Sequence, residues 1–110
     1  MLSKEDIISI NKEFDKGIVV NNSSMEFAIS HIEHSKNWLS QCAYLTRAIL
    51  IDHIFEEGNK RTAAAVILTY FEIHKIAYDP YKVDKIIVEI ITKNINDINK
   101  IKRMMKDAIR

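Results

Sequence analysis

The residues of this sequence best suited to chemistry lie together in one stretch, HIFEEGNKRTA at positions 53–63. Its histidine, His53, can take a proton from an attacking hydroxyl group near neutral pH, the usual role of histidine as a general base. Glu57 carries a carboxylate of the kind that binds magnesium beside phosphate oxygens. Lys60 and Arg61 follow as two cations, and the arginine can form two parallel hydrogen bonds with a phosphate. These residue types in this order indicate transfer of a nucleotide phosphate group.

The backbone of the same stretch is predicted to form an anion site. A tight loop is expected between a helix that ends near His53 and a helix that begins near Arg61. The N-terminus of a helix has unpaired N–H groups and the positive end of the helix dipole, which together attract anions. Gly58 has the freedom for a backbone curve that turns successive N–H groups inward. Because GNKRT lacks the spacing of a Walker loop, the pattern predicts a different phosphate cradle.

The rest of the chain predicts the helices that position this loop. Two glycines and one proline are few breakers for 110 residues, which favours helices with short connections. Capping residues mark predicted helix starts at Ser3, Ser23, Asp79 and Asp97. A further helix is predicted over about residues 40–52. The stretch RTAAAVILTYFEIH is apolar without a break over residues 63–68, which predicts a buried central helix.

Between the first two helices, GIVVNN is short, β-branched and bounded by turn residues, so it is predicted to be an extended segment or small hairpin. No internal repeat or low-complexity linker divides the chain. We therefore expect residues 1–110 to form a single all-α domain of about six helices with a small extended flap.

Composition narrows the class of protein. Apolar residues make up 47% of the chain and charged residues 28%, a balance typical of folded domains rather than disordered chains. A net charge of +1 argues against a general affinity for nucleic acid or for a membrane surface. The sequence has neither a signal-peptide pattern nor a membrane-spanning apolar run. Cys42 is the only cysteine, so no internal disulfide is expected. These features predict a cytoplasmic protein.

The stretch HIFEEGNKRTA resembles the signature motif of the Fic/Doc family, and specifically of its Doc branch, the death-on-curing toxins. The positions that match the family pattern are His53, Phe55, Glu57, Gly58, Asn59, Lys60 and Arg61. More loosely, the resemblance extends to GIVVNN, to AYLTRAIL before the motif and to the apolar helix after it. It implies a compact Fic-like helical domain, in agreement with the helical patterns.

The resemblance also implies roles for the matching residues. His53 would be the general base on a target hydroxyl, Glu57 would bind Mg²⁺, and Phe55 would anchor the loop in the core. The residues implied to form the anion site and hold the phosphates of ATP are Gly58, Asn59, Lys60 and Arg61. A glutamate replaces the commoner aspartate or asparagine at position 57, which moves the carboxylate about one bond outward.

A flap in this family would align a segment of the protein target by strand-like pairing. The corresponding residues here are Ile18, Val19, Val20 and Asn21. Some family members carry an inhibitory helix, but SINKEF at residues 9–14 departs from that motif at Phe14. A separate antitoxin is therefore the expected restraint.

Three positions favour the Doc branch over the AMP-transferring members of the family. Those members have proline, glycine and a second arginine where this sequence has Ile54, Lys60 and Ala64. Doc proteins resemble them in fold but transfer the γ-phosphate of ATP to elongation factor Tu, which inhibits translation. We therefore expect a Doc-like toxin kinase that uses ATP and Mg²⁺. AMP transfer on the same fold, an inactive Fic-fold binding module and a nucleic-acid binder remain as alternatives.

Two further sets of residues have simpler explanations. His31 and His34 form an i, i+3 pair that lacks a third metal ligand, so surface or half-buried histidines are predicted. The last predicted helix is basic and is expected to present a solvated face, with contacts to nucleic acid or to an antitoxin as alternatives. Its basic residues are Lys100, Lys102, Arg103, Lys106 and Arg110.

Overall fold

A computed structural model describes residues 2–110, which form six α-helices and no strand. The helices are α1 Lys4–Lys12, α2 Asn22–His34, α3 Trp38–Leu50, α4 Asn59–Ile73, α5 Pro80–Lys93 and α6 Ile98–Asp107. The predicted all-α fold is therefore confirmed. The Cα radius of gyration is 12.5 Å, close to the ~13 Å typical of a domain of about 100 residues. Among residues 2–110, no helix combines the length and apolar character needed to cross a membrane.

The central helix of the domain is α3, which packs against α2, α4, α5 and α6. Nine of its 13 residues are buried, including Cys42, Leu45 and Ile49. The prediction that the alanine-rich helix is buried on all sides is wrong, because Ala64 and Leu68 of α4 are only half-buried. Alanine presents little apolar surface, so this side of α4 can face solvent at small cost.

Three of the six helix starts follow the predicted capping residues. Ser3 and Asp6 form a capping box at α1, Asp79 caps α5 ahead of a proline, and Asp97 caps α6. The prediction that Ser23 caps the second helix is wrong, because α2 begins at Asn22 and its cap is Asn21. Asparagine is as good a cap as serine.

The helices that flank the motif have slightly different bounds from those predicted. Asn37 caps α3, so this helix begins at Trp38 and ends at Leu50. Similarly, α4 begins at Asn59, two residues before the predicted start at Arg61. The loop between these helices is therefore short, and the motif residues lie within it or in the first turn of α4.

The first helix ends several residues before the flap. α1 ends at Lys12, and Gly17 lies in the connection that follows, with a φ of +72°. The flap (residues 18–21) comes next. Val19 forms an isolated antiparallel bridge with Phe55 of the motif loop.

Candidate functional site

The motif residues border a single cleft of about 490 Å³. That volume lies within the ~300–1,000 Å³ of small-molecule sites. The residues on its polar side are His53, Glu57, Gly58, Asn59, Lys60 and Arg61. Phe14, Leu50 and Ile91 supply apolar surface to the same cleft. The structure therefore brings the predicted loop residues together and adds an apolar wall from three other elements.

His53 lies in the loop after α3, with an exposed side chain at the edge of the cleft. Its φ is +50°, a left-handed conformation that few residues other than glycine adopt. The next two residues hold this conformation, because Ile54 and Phe55 are 0% and 1% exposed. The predicted role of Phe55 as a core anchor is confirmed. Backbone strain of this kind is common at functional sites, where surrounding packing maintains it.

The flap positions the loop by backbone hydrogen bonds. The Val20 N–H donates to the Ile54 carbonyl at 2.8 Å, and the Glu56 N–H donates to the Ile18 carbonyl at 2.9 Å. In this antiparallel arrangement the N–H and C=O of Val19 point away from Phe55. One edge of the flap is thus paired with the motif loop, and the outer edge at Val19 faces the other way.

Asn21 does not continue the flap as an extended residue, contrary to the sequence prediction. Its side chain accepts a hydrogen bond from the Ser24 N–H at 3.2 Å and donates one to the Asp52 carbonyl at 3.0 Å. These bonds start α2 and join it to the loop after α3. Residues 18–20 are therefore the part of the flap that is available for strand-like pairing.

The side chain of Asn59 closes the motif loop. Its Oδ1 accepts from the Phe55 N–H at 3.2 Å, and its Nδ2 donates to the Phe55 carbonyl at 2.9 Å. Both ends of the amide are therefore engaged with the loop backbone. The backbone N–H of Asn59 is the group of this residue best suited to the predicted anion site.

The N-terminus of α4 has no side-chain cap. Gly58 occupies the capping position with a φ of +76° and has no side chain to bond the first N–H groups. The first bond across the helix start runs from the Thr62 N–H to the Gly58 carbonyl, at 2.9 Å. A Cβ added at Gly58 would lie 3.2 Å from Asn11 Nδ2 and 3.3 Å from Asp15 Cβ. Glycine is therefore required here by both backbone conformation and space.

The cations of the cleft are available for a ligand. Lys60 and Arg61 are exposed in the first turn of α4, and neither forms an ion pair within residues 2–110. The N-terminal end of a helix adds a positive partial charge at the same place. Unsatisfied N–H groups, a helix dipole and two side-chain cations thus converge on the polar side of the cleft.

Two carboxylates also border the cleft. Glu57 is exposed beside the uncapped helix start, and Asp15 reaches the cleft from the connection after α1. Within residues 2–110, no group of three or more His, Cys, Asp or Glu side chains is arranged to hold a metal ion. Mg²⁺ in phosphate-transfer sites typically takes only one or two carboxylates and completes its shell with phosphate oxygens and water. The donor set therefore fits Mg²⁺ bound together with a nucleotide.

Sequence reasoning missed the contribution of the α1 region to this site. Phe14 lies beyond α1, is 37% exposed and borders the cleft. No role in the site was predicted for Asp15 or Asn11. No local motif distinguishes these residues, because they reach the loop only through tertiary packing.

The predicted histidine pair takes part in local contacts. The His31 ring stacks on Tyr44 with 3.7 Å between centroids, and its Nε2 lies 3.1 Å from Ser40 Oγ. His34 Nδ1 donates to the Ser30 carbonyl of its own helix at 2.7 Å. Burial, with the positive charges of Arg47 and Lys102, lowers the pKa of His31. Both histidines thus have structural partners.

The basic residues of α6, and Arg110 after its end, lie largely in solvent. Lys100, Arg103, Lys106 and Arg110 are exposed, and Lys102 is half-buried. The apolar residues Ile101 and Met105 of the same helix are buried. This is the amphipathic arrangement predicted for a solvated face.

No protein-family model matches this chain, and no curated protein matches it. Function is therefore inferred from the residues of the cleft, their geometry and the resemblance of the motif.

Proposed function

We propose that this protein is a Doc-like toxin kinase that transfers the γ-phosphate of ATP to a hydroxyl group of a protein target. The observation that carries this proposal is the cleft itself. An uncapped helix start, two cations that form no ion pair with any residue from 2 to 110 and an exposed histidine all border one cavity of nucleotide-binding size. Each of these features costs stability or gives none, and each is useful to a bound phosphate.

ATP would bind with its phosphates at the start of α4. Arg61 would engage one phosphate with two parallel hydrogen bonds, and Lys60 would add a point charge. The backbone N–H groups of the first turn would complete the anion site. Phe14 offers an exposed ring on the apolar wall against which the adenine base can pack.

In the transfer step, His53 would act as the general base. The target hydroxyl gives its proton to the neutral imidazole of His53 while its oxygen forms a bond to the γ-phosphorus. The bond between the γ-phosphorus and the bridging oxygen breaks, and ADP leaves with that electron pair. Lys60, Arg61 and the helix dipole stabilise the charge on the phosphoryl oxygens. Atoms and charge balance with ATP and a hydroxyl as the two reactants.

Glu57 would hold Mg²⁺ at the edge of the phosphates, with Asp15 bordering the same cleft. The ion, when bound, supplies neutralisation of phosphate charge. The exposed position of Glu57 leaves its longer side chain free to adjust to the phosphates.

The flap would align the target. Its outer edge offers the N–H and C=O of Val19 for one further antiparallel pairing. Ile18 and Val20, 43% and 59% exposed, flank this edge with apolar side chains. By resemblance to Doc toxins, the target would be elongation factor Tu in the cytoplasm. A separate antitoxin would restrain the enzyme.

The test uses ATP labelled at either the α or the γ phosphate. The purified protein is incubated with each label, Mg²⁺ and elongation factor Tu, and in parallel with a cell lysate. Label from the γ position on a protein supports the proposal. Loss of that label with the variant His53→Asn would show that the transfer depends on this cleft. Label from the α position would indicate AMP transfer instead. Absence of both labels would overturn the enzymatic assignment and favour a binding module.

A further inference from the structure

The side chain of Asn11 is a buried amide that joins three parts of the site. It is 0% exposed at the end of α1. Its Nδ2 donates to the Glu57 carbonyl and to Thr62 Oγ1, each at 3.0 Å. Its Oδ1 accepts from the Gly17 N–H at 2.8 Å. One amide thus connects the acidic end of the motif loop, the first turn of α4 and the residue that precedes the flap.

The backbone of Asn11 contributes to the same region. Its carbonyl accepts hydrogen bonds from the Phe14 N–H at 2.9 Å and from the Asp15 N–H at 2.8 Å. These bonds form the turn that brings both residues to the cleft. The apolar wall, the second carboxylate and the loop therefore share one point of attachment.

These bonds also determine the orientation of the amide. If its nitrogen and oxygen were exchanged, an oxygen would face the Glu57 carbonyl and an NH₂ group would face the Gly17 N–H. Both contacts would be repulsive, so only the observed orientation satisfies all three partners. Gly58 provides the necessary room, because a Cβ there would lie 3.2 Å from Nδ2. The glycine of the motif and the asparagine of α1 therefore depend on one another.

We propose that Asn11 is a positioning residue for phosphate transfer, which sets the place of Glu57 and of the α4 start relative to the flap. This inference rests on the proposed function. Asn11 does not border the cleft and acts through the groups that it holds. Because the flap aligns the target and the loop carries His53, the amide links the target side of the site to the phosphate side.

The decisive variant is Asn11→Asp. It preserves size and the acceptor for Gly17, but it places an oxygen against the Glu57 carbonyl. Residues that orient metal ligands typically contribute 10–100-fold to activity, and small displacements of reacting groups have effects of similar size. We expect kcat to fall about 10–100-fold by this reasoning. KM for ATP should change less, because Lys60 and Arg61 remain. The Mg²⁺ concentration needed for half-maximal activity should rise, because Glu57 loses its anchor.

Two further variants separate positioning from general stability. Thr62→Val removes one partner of the amide with little change in shape, whereas Thr62→Ser keeps the hydroxyl and should restore the parent's magnesium dependence. Gln41→Leu is the matched control outside the cleft. Gln41 is also a buried amide, bonded to the Ser35 carbonyl and to the Tyr70 hydroxyl. This control should lower the melting temperature without changing kcat or the magnesium dependence.

Amide hydrogen exchange tests the anchor independently of activity. Asn11→Asp and Thr62→Val should each speed exchange in residues 57–61, and both variants keep the oxygen that accepts from the Gly17 N–H. Failure of the parent protein to transfer any label would overturn the proposed function while exchange still reports on the anchor. If folded Asn11→Asp or, should that variant not fold, Thr62→Val keeps the parent's kcat, magnesium dependence and exchange rates, the positioning role of Asn11 is overturned.

Discussion

The starts of α4 and α5 differ in whether the first backbone N–H groups of the helix have a hydrogen-bond acceptor. At α5, Asp79 accepts a hydrogen bond from the Tyr81 N–H at 3.0 Å, and Pro80 has no N–H to satisfy. At α4, Gly58 has no side chain to accept one. A capping side chain is typically worth about 1 kcal/mol. The α5 start therefore serves stability, whereas the α4 start leaves its donors available for a ligand.

The residues before the two helices also differ in backbone conformation. Asp79 has the extended conformation usual for a cap, with a φ of −101°. Before α4, both His53 and Gly58 have positive φ, and the loop that joins them is held by the flap and by Asn59. Two residues with positive φ and an uncapped helix start thus lie beside the cations of the cleft, an arrangement in which the first N–H groups of α4 can bind an anion.

The largest expected effect comes from the base. His53→Asn should lower transfer about 10²–10⁴-fold, the usual contribution of a general base. Asparagine is chosen because it tolerates positive φ better than alanine does. ATP affinity should remain near that of the parent, because the phosphate site is untouched. Initial rates and calorimetric titration with ATP measure the two quantities, and an undiminished rate would remove His53 from the mechanism.

The next effect concerns the phosphate clamp at the α4 start. Arg61→Ala should weaken ATP binding about 10–100-fold, because hydrogen bonds to charged groups contribute roughly 1.5–3 kcal/mol. Arg103→Ala is the matched control, since Arg103 is an exposed arginine of α6 outside the cleft. Titration with ATP distinguishes the two, and equal affinities would show that Arg61 has no part in binding.

Lys60 tests how the α4 start orients the nucleotide. Lys60→Gly opens one side of the cradle, so phosphorylation should fall strongly and some adenylyl transfer should appear. The double variant Lys60→Gly with Ala64→Arg adds a second phosphate clamp and should move the product further toward AMP. Intact mass of the target reports a phosphate or an adenylyl group. Phosphorylation by both variants at the parent's rate would contradict an orienting role.

Asp79→Ala makes the α5 start resemble the α4 start. It should lower the free energy of unfolding by about 1 kcal/mol, because the Tyr81 N–H loses its acceptor. Transfer activity below the melting temperature should be unchanged. Urea denaturation and the labelled-ATP assay measure the two properties. A marked loss of activity in the folded variant would contradict the separation of the two helix starts.

The smallest expected effect concerns His31, a histidine with structural contacts. The pKa of His31 is lowered from 6.5, first by burial and then by the charges of Arg47 and Lys102. The unfolded chain therefore binds a proton more readily than the folded one, so this contribution to stability is present above about pH 6.5 and is lost as pH falls through the folded pKa. Unfolding measured between pH 7.5 and 5.5 should show a smaller loss in His31→Gln than in the parent. The variant His34→Gln is the control, and identical pH dependence in all three proteins would contradict the assignment.

The sequence by itself determined the features that depend on near neighbours. Ser3, Asp79 and Asp97 were recognisable as helix starts because a cap bonds N–H groups only two or three residues away. The loop residues from His53 to Arg61 were recognisable as one site because they are contiguous. Conformational freedom of the backbone at Gly58 was expected because glycine lacks a side chain. In each case the relevant partners lie within one turn of the residue.

Tertiary structure alone decided what holds that site. The amide of Asn11 meets the Glu57 carbonyl across 46 positions of sequence, and residues 18–20 pair with residues 54–56 across a comparable distance. Neither contact has a local signature, since an asparagine in a helix and a β-branched triplet each have many possible partners. Burial selects among such partners, because a polar group removed from water must find a hydrogen bond in whatever the fold places beside it.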